Sequence, residues 1–296
     1  MMKNSLALLG TAARTLLRNW PALLLINLLY ALLLATLDLF ISTREATIPQ
    51  LSFTVLLALA APVLFFMIQA AGINYIRTAG ARALLGRALR DFFKLLLISV
   101  PMIALGVLIY YLLNKLQAHF PVPPFEPSHE TSRAALYASS TTQATPPPMP
   151  LHWPSILIST LRILLLFVFL PLMTIQLWIA LTHEGIGATF KRLHRVLGRA
   201  FTGQAILIYA VGLLLFGLLP YFLTFTRTPI KNAWGELIIF GLRLLLAFVL
   251  TLWGWVITMG ALTGNALDAD TSIATAPSES FQQGNLESAP VTQPTA

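Results

Sequence analysis

Residues 153–182, WPSILISTLRILLLFVFLPLMTIQLWIALT, return 81 residues later as residues 234–263, WGELIIFGLRLLLAFVLTLWGWVITMGALT. Trp153, Leu161, Arg162, Leu164, Leu165, Phe167, Val168 and Ala180-Leu181-Thr182 recur as Trp234, Leu242, Arg243, Leu245, Leu246, Phe248, Val249 and Ala261-Leu262-Thr263. Each copy exceeds the roughly 20 apolar residues that a bilayer crossing requires. Each also opens on Trp, a residue that favours the headgroup level, and carries an arginine nine positions further on. Such an echo reads as part of a repeat-built membrane protein, and it sets Arg162 and Arg243 at equivalent depths, where ionisable side chains are rare and often functional.

Composition points the same way. With 57% hydrophobic and only 10% charged residues, the chain lacks the charge to coat a soluble domain of its length. Its net charge of +8 raises nucleic-acid binding as a function, but most of the basic residues stand at the ends of apolar runs and no recognition motif accompanies them. Positive-inside bias and anionic headgroups account for them instead. Cysteine is absent, which removes disulfides, thiolate metal sites and thiol nucleophiles together.

The expected fold is all-α, a polytopic membrane helix bundle with six transmembrane helices over about 21–41, 52–75, 92–114, 153–182, 202–226 and 236–265. Three basic interfacial amphipathic helices precede alternate spans and give a threefold internal repeat. The first, residues 4–19, is too early broken by Arg14 and Arg18 to serve as a signal peptide and is expected to be retained. In the second, Arg87, Arg90, Asp91 and Lys94 fall at i, i+3, i+4 and i+7, one helical face. In the third, residues 188–201, Lys191, Arg192, Arg195 and Arg199 oppose Leu193, Val196, Leu197 and Ala200. A shift of 109 residues places Pro62 on Pro171, Ala71 on Ala180, Arg82 on Lys191, Leu84 on Leu193 and Arg90 on Arg199. Residues 115–152, rich in proline, and 266–296, polar and acidic, are expected to be a disordered loop and a disordered tail.

Charge sets the orientation. The three basic segments hold twelve Lys and Arg while the opposite loops hold five, so both termini are expected in the cytoplasm and the proline-rich loop outside. The implied location is a bacterial cytoplasmic membrane.

The stretch His183-Glu184-Gly185-Ile186-Gly187-Ala188-Thr189-Phe190-Lys191-Arg192 through Arg199-Ala200-Phe201, together with the two earlier basic lead-ins, resembles the six-span bacterial proteins grouped around the glycerophosphoryl diester phosphodiesterase membrane domain and related domains of unknown function. The resemblance covers residues 5–265 and is one of pattern. It implies the six-span architecture and brings no catalytic residues.

Arg162 and Arg243 are the candidate substrate-binding residues. Nine residues of helix set each roughly 13 Å below its Trp, within a hydrocarbon core of about 30 Å. Two guanidinium forks facing a polar cleft would hold a phosphate or carboxylate bidentately. The plainer expectation is that each reaches for headgroups or pairs with an acid, with Glu236 and Asp38 as candidates. Arg87, Arg90, Lys94, Lys191, Arg192, Arg195 and Arg199 are the expected membrane-surface binding residues, with anionic cytoplasmic headgroups as their partner. A protein partner or a second copy of the chain stays open.

Other chemistry finds little support. His183-Glu184 has Gly187 where a zinc-protease helix needs its second histidine, so it reads as a helix end. His119, His129 and His152 lack ligand spacing, and no Walker loop, dinucleotide fingerprint or nucleophile elbow occurs. No cofactor, no metal and no enzymatic activity are expected. Gly260 and Gly264, the span prolines Pro62, Pro101, Pro171 and Pro220, and the polar Asn27, Gln69, Asn74 and Gln176 read as packing and helix-joining groups, though proline-broken helices also serve transporters. The function expected is a non-catalytic scaffold or membrane-organising protein, with a transporter or lipid handler for an anionic substrate, using Arg162 and Arg243, as the alternative.

Overall fold

The computed structural model describes residues 2–43, 47–120, 153–226 and 232–274. Most of the expected proline-rich loop and of the acidic tail lies outside them. Among the described residues there is no strand. The helices are α1 (Met2–Arg18), α2 (Trp20–Ser42), α3 (Ile48–Asn74) with a 3₁₀ turn at Tyr75–Arg77, α4 (Ala81–Ala118), α5 (Trp153–Glu184), α6 (Ile186–Lys191), α7 (Leu193–Ala200), α8 (Gly203–Phe225) and α9 (Ala233–Ala274). Six of them, α2, α3, α4, α5, α8 and α9, are long and apolar enough to cross a membrane. Their outward faces are as apolar as their inward ones: on α2, Leu24, Leu28 and Leu32 are exposed while Ala22, Ile26, Leu29 and Leu33 are buried. Water would not tolerate this and lipid requires it, so the chain is an integral, multi-pass membrane protein.

Local chemistry sets the helix boundaries. Thr202 accepts a hydrogen bond from the Ala205 amide at 3.3 Å and caps α8, while Asn232 accepts from the Trp234 amide at 3.2 Å at the start of α9. Gly80 (φ 88°) precedes α4 and Gly185 (φ 82°) separates α5 from α6, both in the left-handed region that side chains avoid. In α5 and α8 the backbone widens into π-helix, at Leu164–Phe169 and Leu214–Leu218. Pro171 and Pro220 follow these segments at the same offset. A proline ring collides with the carbonyl four residues back in a regular helix, and the wider turn relieves that collision.

The chain divides into two compact units. Unit 1 comprises Met1–Ile98 and Leu172–Ala296, and unit 2 comprises Ser99–Pro171. In unit 1, α9 is the central helix and packs on α1, α3 and α8. Two of its tryptophans fasten it: Trp255 Nε1 donates to Gln69 Oε1 of α3 at 2.6 Å and Trp253 Nε1 to Asn27 Oδ1 of α2 at 3.4 Å. Buried Phe66 meets Trp178 edge-on, with ring centroids 6.1 Å apart. Small residues allow close approach. A Cβ on Gly212 of α8 would stand 2.1 Å from Thr258 Oγ1, and one on Gly254 would stand 3.1 Å from the Phe216 backbone nitrogen. Gly260 makes room for Tyr75, whose hydroxyl donates to the Ala12 carbonyl at 3.2 Å, and Gly264 faces Leu8. In unit 2, α4 and α5 meet at Gly106, where a Cβ would come within 2.8 Å of Leu170.

Candidate functional site: the span arginines and the basic helix ends

Arg162 lies in the last turn before the π segment of α5. Its Nη2 donates to Gln117 Oε1 near the end of α4, and its guanidinium carbon stands 5.5 Å from the Tyr110 ring centroid. Gln117 and Tyr110 are seven residues apart, two helical turns, so they present one face of α4 to the arginine. The Arg162 Nε is buried and has no hydrogen-bond partner among the described residues. This guanidinium is therefore half satisfied, by an amide and a π face.

Arg243 belongs to unit 1. Its Nη1 donates to the carbonyl of Thr226, the residue just past the end of α8. A cation at a helix C-terminus meets the negative end of the dipole and fills a carbonyl that no later turn would bond. Neither expected acid takes part: among the described residues no ion pair joins Arg162 or Arg243 to a carboxylate, and both Glu236 and Asp38 are exposed. Trp153 and Trp234, nine residues before these arginines, are 70% and 74% exposed.

The basic residues of α4 divide between surface and interior. Arg90 keeps a side chain 72% exposed, and Arg87 is exposed as well. Asp91 turns inward instead, 3% exposed, accepts from Lys94 Nζ at 2.8 Å and from Asn74 Nδ2 at 3.3 Å, and lies 3.9 Å from Arg90 Nε. The four residues expected on one face thus straddle its edge. Lys94, 29% exposed, serves the buried carboxylate. Asp91 and Asn74 form a polar joint between α3 and α4; Asn74 was expected as a helix-joining group, but its pairing with Asp91 was not. The available signal was an acid within a basic run, opposite an asparagine at the end of the preceding span.

The stretch 188–201, expected as one surface helix, is two short ones, α6 and α7. Arg192 stands at the break, with φ −113° and ψ 20°. Lys191, Arg192 and Arg195 are exposed, Arg199 is partly buried, and Val196 and Ala200 are buried. On the other side of Gly185, α5 ends at Glu184, and the neighbouring His183 Nδ1 accepts from Arg77 Nη1. No group of three or more His, Asp or Glu able to hold a metal occurs among the described residues.

No family model, curated protein or solved structure matches the chain.

Proposed function

We propose that the protein is a non-catalytic scaffold of the bacterial cytoplasmic membrane, with both termini in the cytoplasm, that gathers anionic lipids under its basic inner face and offers that face to assembly partners. The six-span group that residues 5–265 resemble fits this reading in architecture. The observation that carries it is the use made of the two span arginines: each is spent on a neutral partner within its own unit, Gln117 and the Thr226 carbonyl, as a joint between helices. Exposed Arg87, Arg90, Lys191, Arg192 and Arg195 supply the surface charge, each cation gaining about 1 kcal/mol beside an anionic leaflet.

A second reading, handling or transport of an anionic substrate through Arg162 and Arg243, draws on the buried Arg162 Nε that lacks a partner. One reconstitution separates the two. Protein in vesicles containing fluorescent phosphatidylglycerol should cluster the labelled lipid, and replacing Arg87, Arg90, Lys191, Arg192 and Arg195 together by Gln should abolish clustering. Entrapped phosphate should leak no faster than from empty vesicles. Phosphate flux that disappears in Arg162→Lys and Arg243→Lys, with clustering indifferent to the five-residue change, would establish the second reading and overturn the first.

A further inference from the structure

An open pocket of about 510 Å³ lies in unit 1 where the end of α1 meets the connection from α3 to α4. Arg18, Asn19, Arg77 and Thr78 line it, with Thr15 and Tyr75, and among the described residues no carboxylate does. Its frame is tied from both sides. Asn19 Nδ2 donates to the Thr78 carbonyl at 2.9 Å and its Oδ1 accepts from the Gly80 amide at 3.5 Å, which fixes the α1–α2 joint to the turn. Tyr75, 1% exposed, holds the Ala12 carbonyl of α1 from beneath. The volume falls within the range of about 300–1,000 Å³ typical of small-ligand sites.

Thr78 is 4% exposed, and its hydroxyl is buried with no hydrogen-bond partner among the described residues. A buried hydroxyl without a partner is costly and is commonly met by a ligand, ion or water. Arg18 and Arg77 are both exposed, and neither forms an ion pair among the described residues. Arg77 is steadied by His183 through one nitrogen and keeps its other donors. Trp20, 64% exposed, begins the first span one residue beyond Asn19, which puts the pocket at the level where a span enters the headgroup region.

We propose that this pocket binds a phosphate group, gripped by the Arg18 and Arg77 guanidinium forks and by the Thr78 hydroxyl. The group belongs either to an anionic phospholipid headgroup or to a soluble phosphate. Planar forks match phosphate oxygens in pairs, and the Asn19 ties spare the site the cost of ordering its frame on binding. None of these residues is among the surface cations of the scaffold reading, so the two can fail separately.

The test uses the full chain in detergent, with native mass spectrometry reading bound phosphatidylglycerol against phosphatidylcholine. The expected result is saturable retention of phosphatidylglycerol, weakened about tenfold by Arg18→Gln or Arg77→Gln and less by Thr78→Val, consistent with the loss of hydrogen bonds to a charged group. Lys115→Gln, which removes an exposed cation that belongs neither to the pocket nor to the lipid-gathering face, should change nothing. Arg18→Gln is the cleaner variant, because Arg18 is exposed and forms no ion pair among the described residues, and its thermal melt should match wild type. Inorganic phosphate added at millimolar levels decides the source: displacement of the lipid assigns a soluble phosphate, and persistence assigns the headgroup. Retention equal in wild type, Arg18→Gln and Arg77→Gln, or an equal loss in Lys115→Gln, would overturn the site.

Discussion

A guanidinium inside an apolar span must find electron-rich partners, and the two in this chain find them on neutral groups, the Gln117 amide with the Tyr110 ring and the Thr226 carbonyl. Asp91 is the case where a full charge is buried, beside a cation that stays partly exposed. Removing one member of such a pair leaves the other without compensation, while replacing both by apolar groups is often harmless. We therefore expect Asp91→Ala to cost about 2 kcal/mol, less than for a fully buried pair because Lys94 keeps part of its hydration. Asp91→Leu with Lys94→Met should recover most of it. Thermal denaturation of the purified variants reads this directly, and a double variant no better than Asp91→Ala would show that the Asn74 bond carries the joint. The presence of an arginine within each of two apolar spans was legible from the sequence, but the partners of these arginines were not. Gln117 lies 45 residues before Arg162, and nothing in a pattern of apolar spacing selects one amide over another. The inward turn of Asp91 was hidden for a related reason: spacing shows which residues share a face, and packing sets how far that face is rotated.

At the level of elements, α8 approaches α9 closely in unit 1, and the approach depends on missing side chains. Gly254→Ala would drive a methyl against the backbone of the π segment, where no side chain can swing aside, and is expected to cost about 1–3 kcal/mol. Gly241→Ala, on the same helix with nothing within 4 Å of the added carbon, serves as the control and should be neutral or slightly stabilising. Equal melting temperatures for the two would disprove the close contact. The six apolar helices were legible because length and hydropathy are properties of the chain alone. The π segments were not. Pro171 and Pro220 advertise an interruption, but whether a helix kinks, breaks or widens depends on what its neighbours can accommodate. Likewise the break at Arg192 splits a stretch whose amphipathic spacing reads as continuous.

For the whole molecule, the distribution of cations predicts an orientation that labelling can test. If the twelve-to-five asymmetry sets it, a cysteine at His194 faces the cytoplasm and one at Ser42 faces out. Native cysteine is absent, so an impermeant maleimide applied to intact cells should label Ser42→Cys and leave His194→Cys unlabelled until the cells are opened. The reverse pattern would invert the topology and with it the face assigned to anionic lipid.

The bond from Arg243 to the Thr226 carbonyl has a consequence in time as well as in space. The ribosome makes the acceptor first and the donor 17 residues later, so α8 is finished at its end only once α9 has emerged and come alongside. Until then the carbonyl must be met by water or headgroups, and until then Arg243 carries its charge without that acceptor. Biosynthesis of these two helices is therefore a joint event, a hairpin whose second arm completes the first.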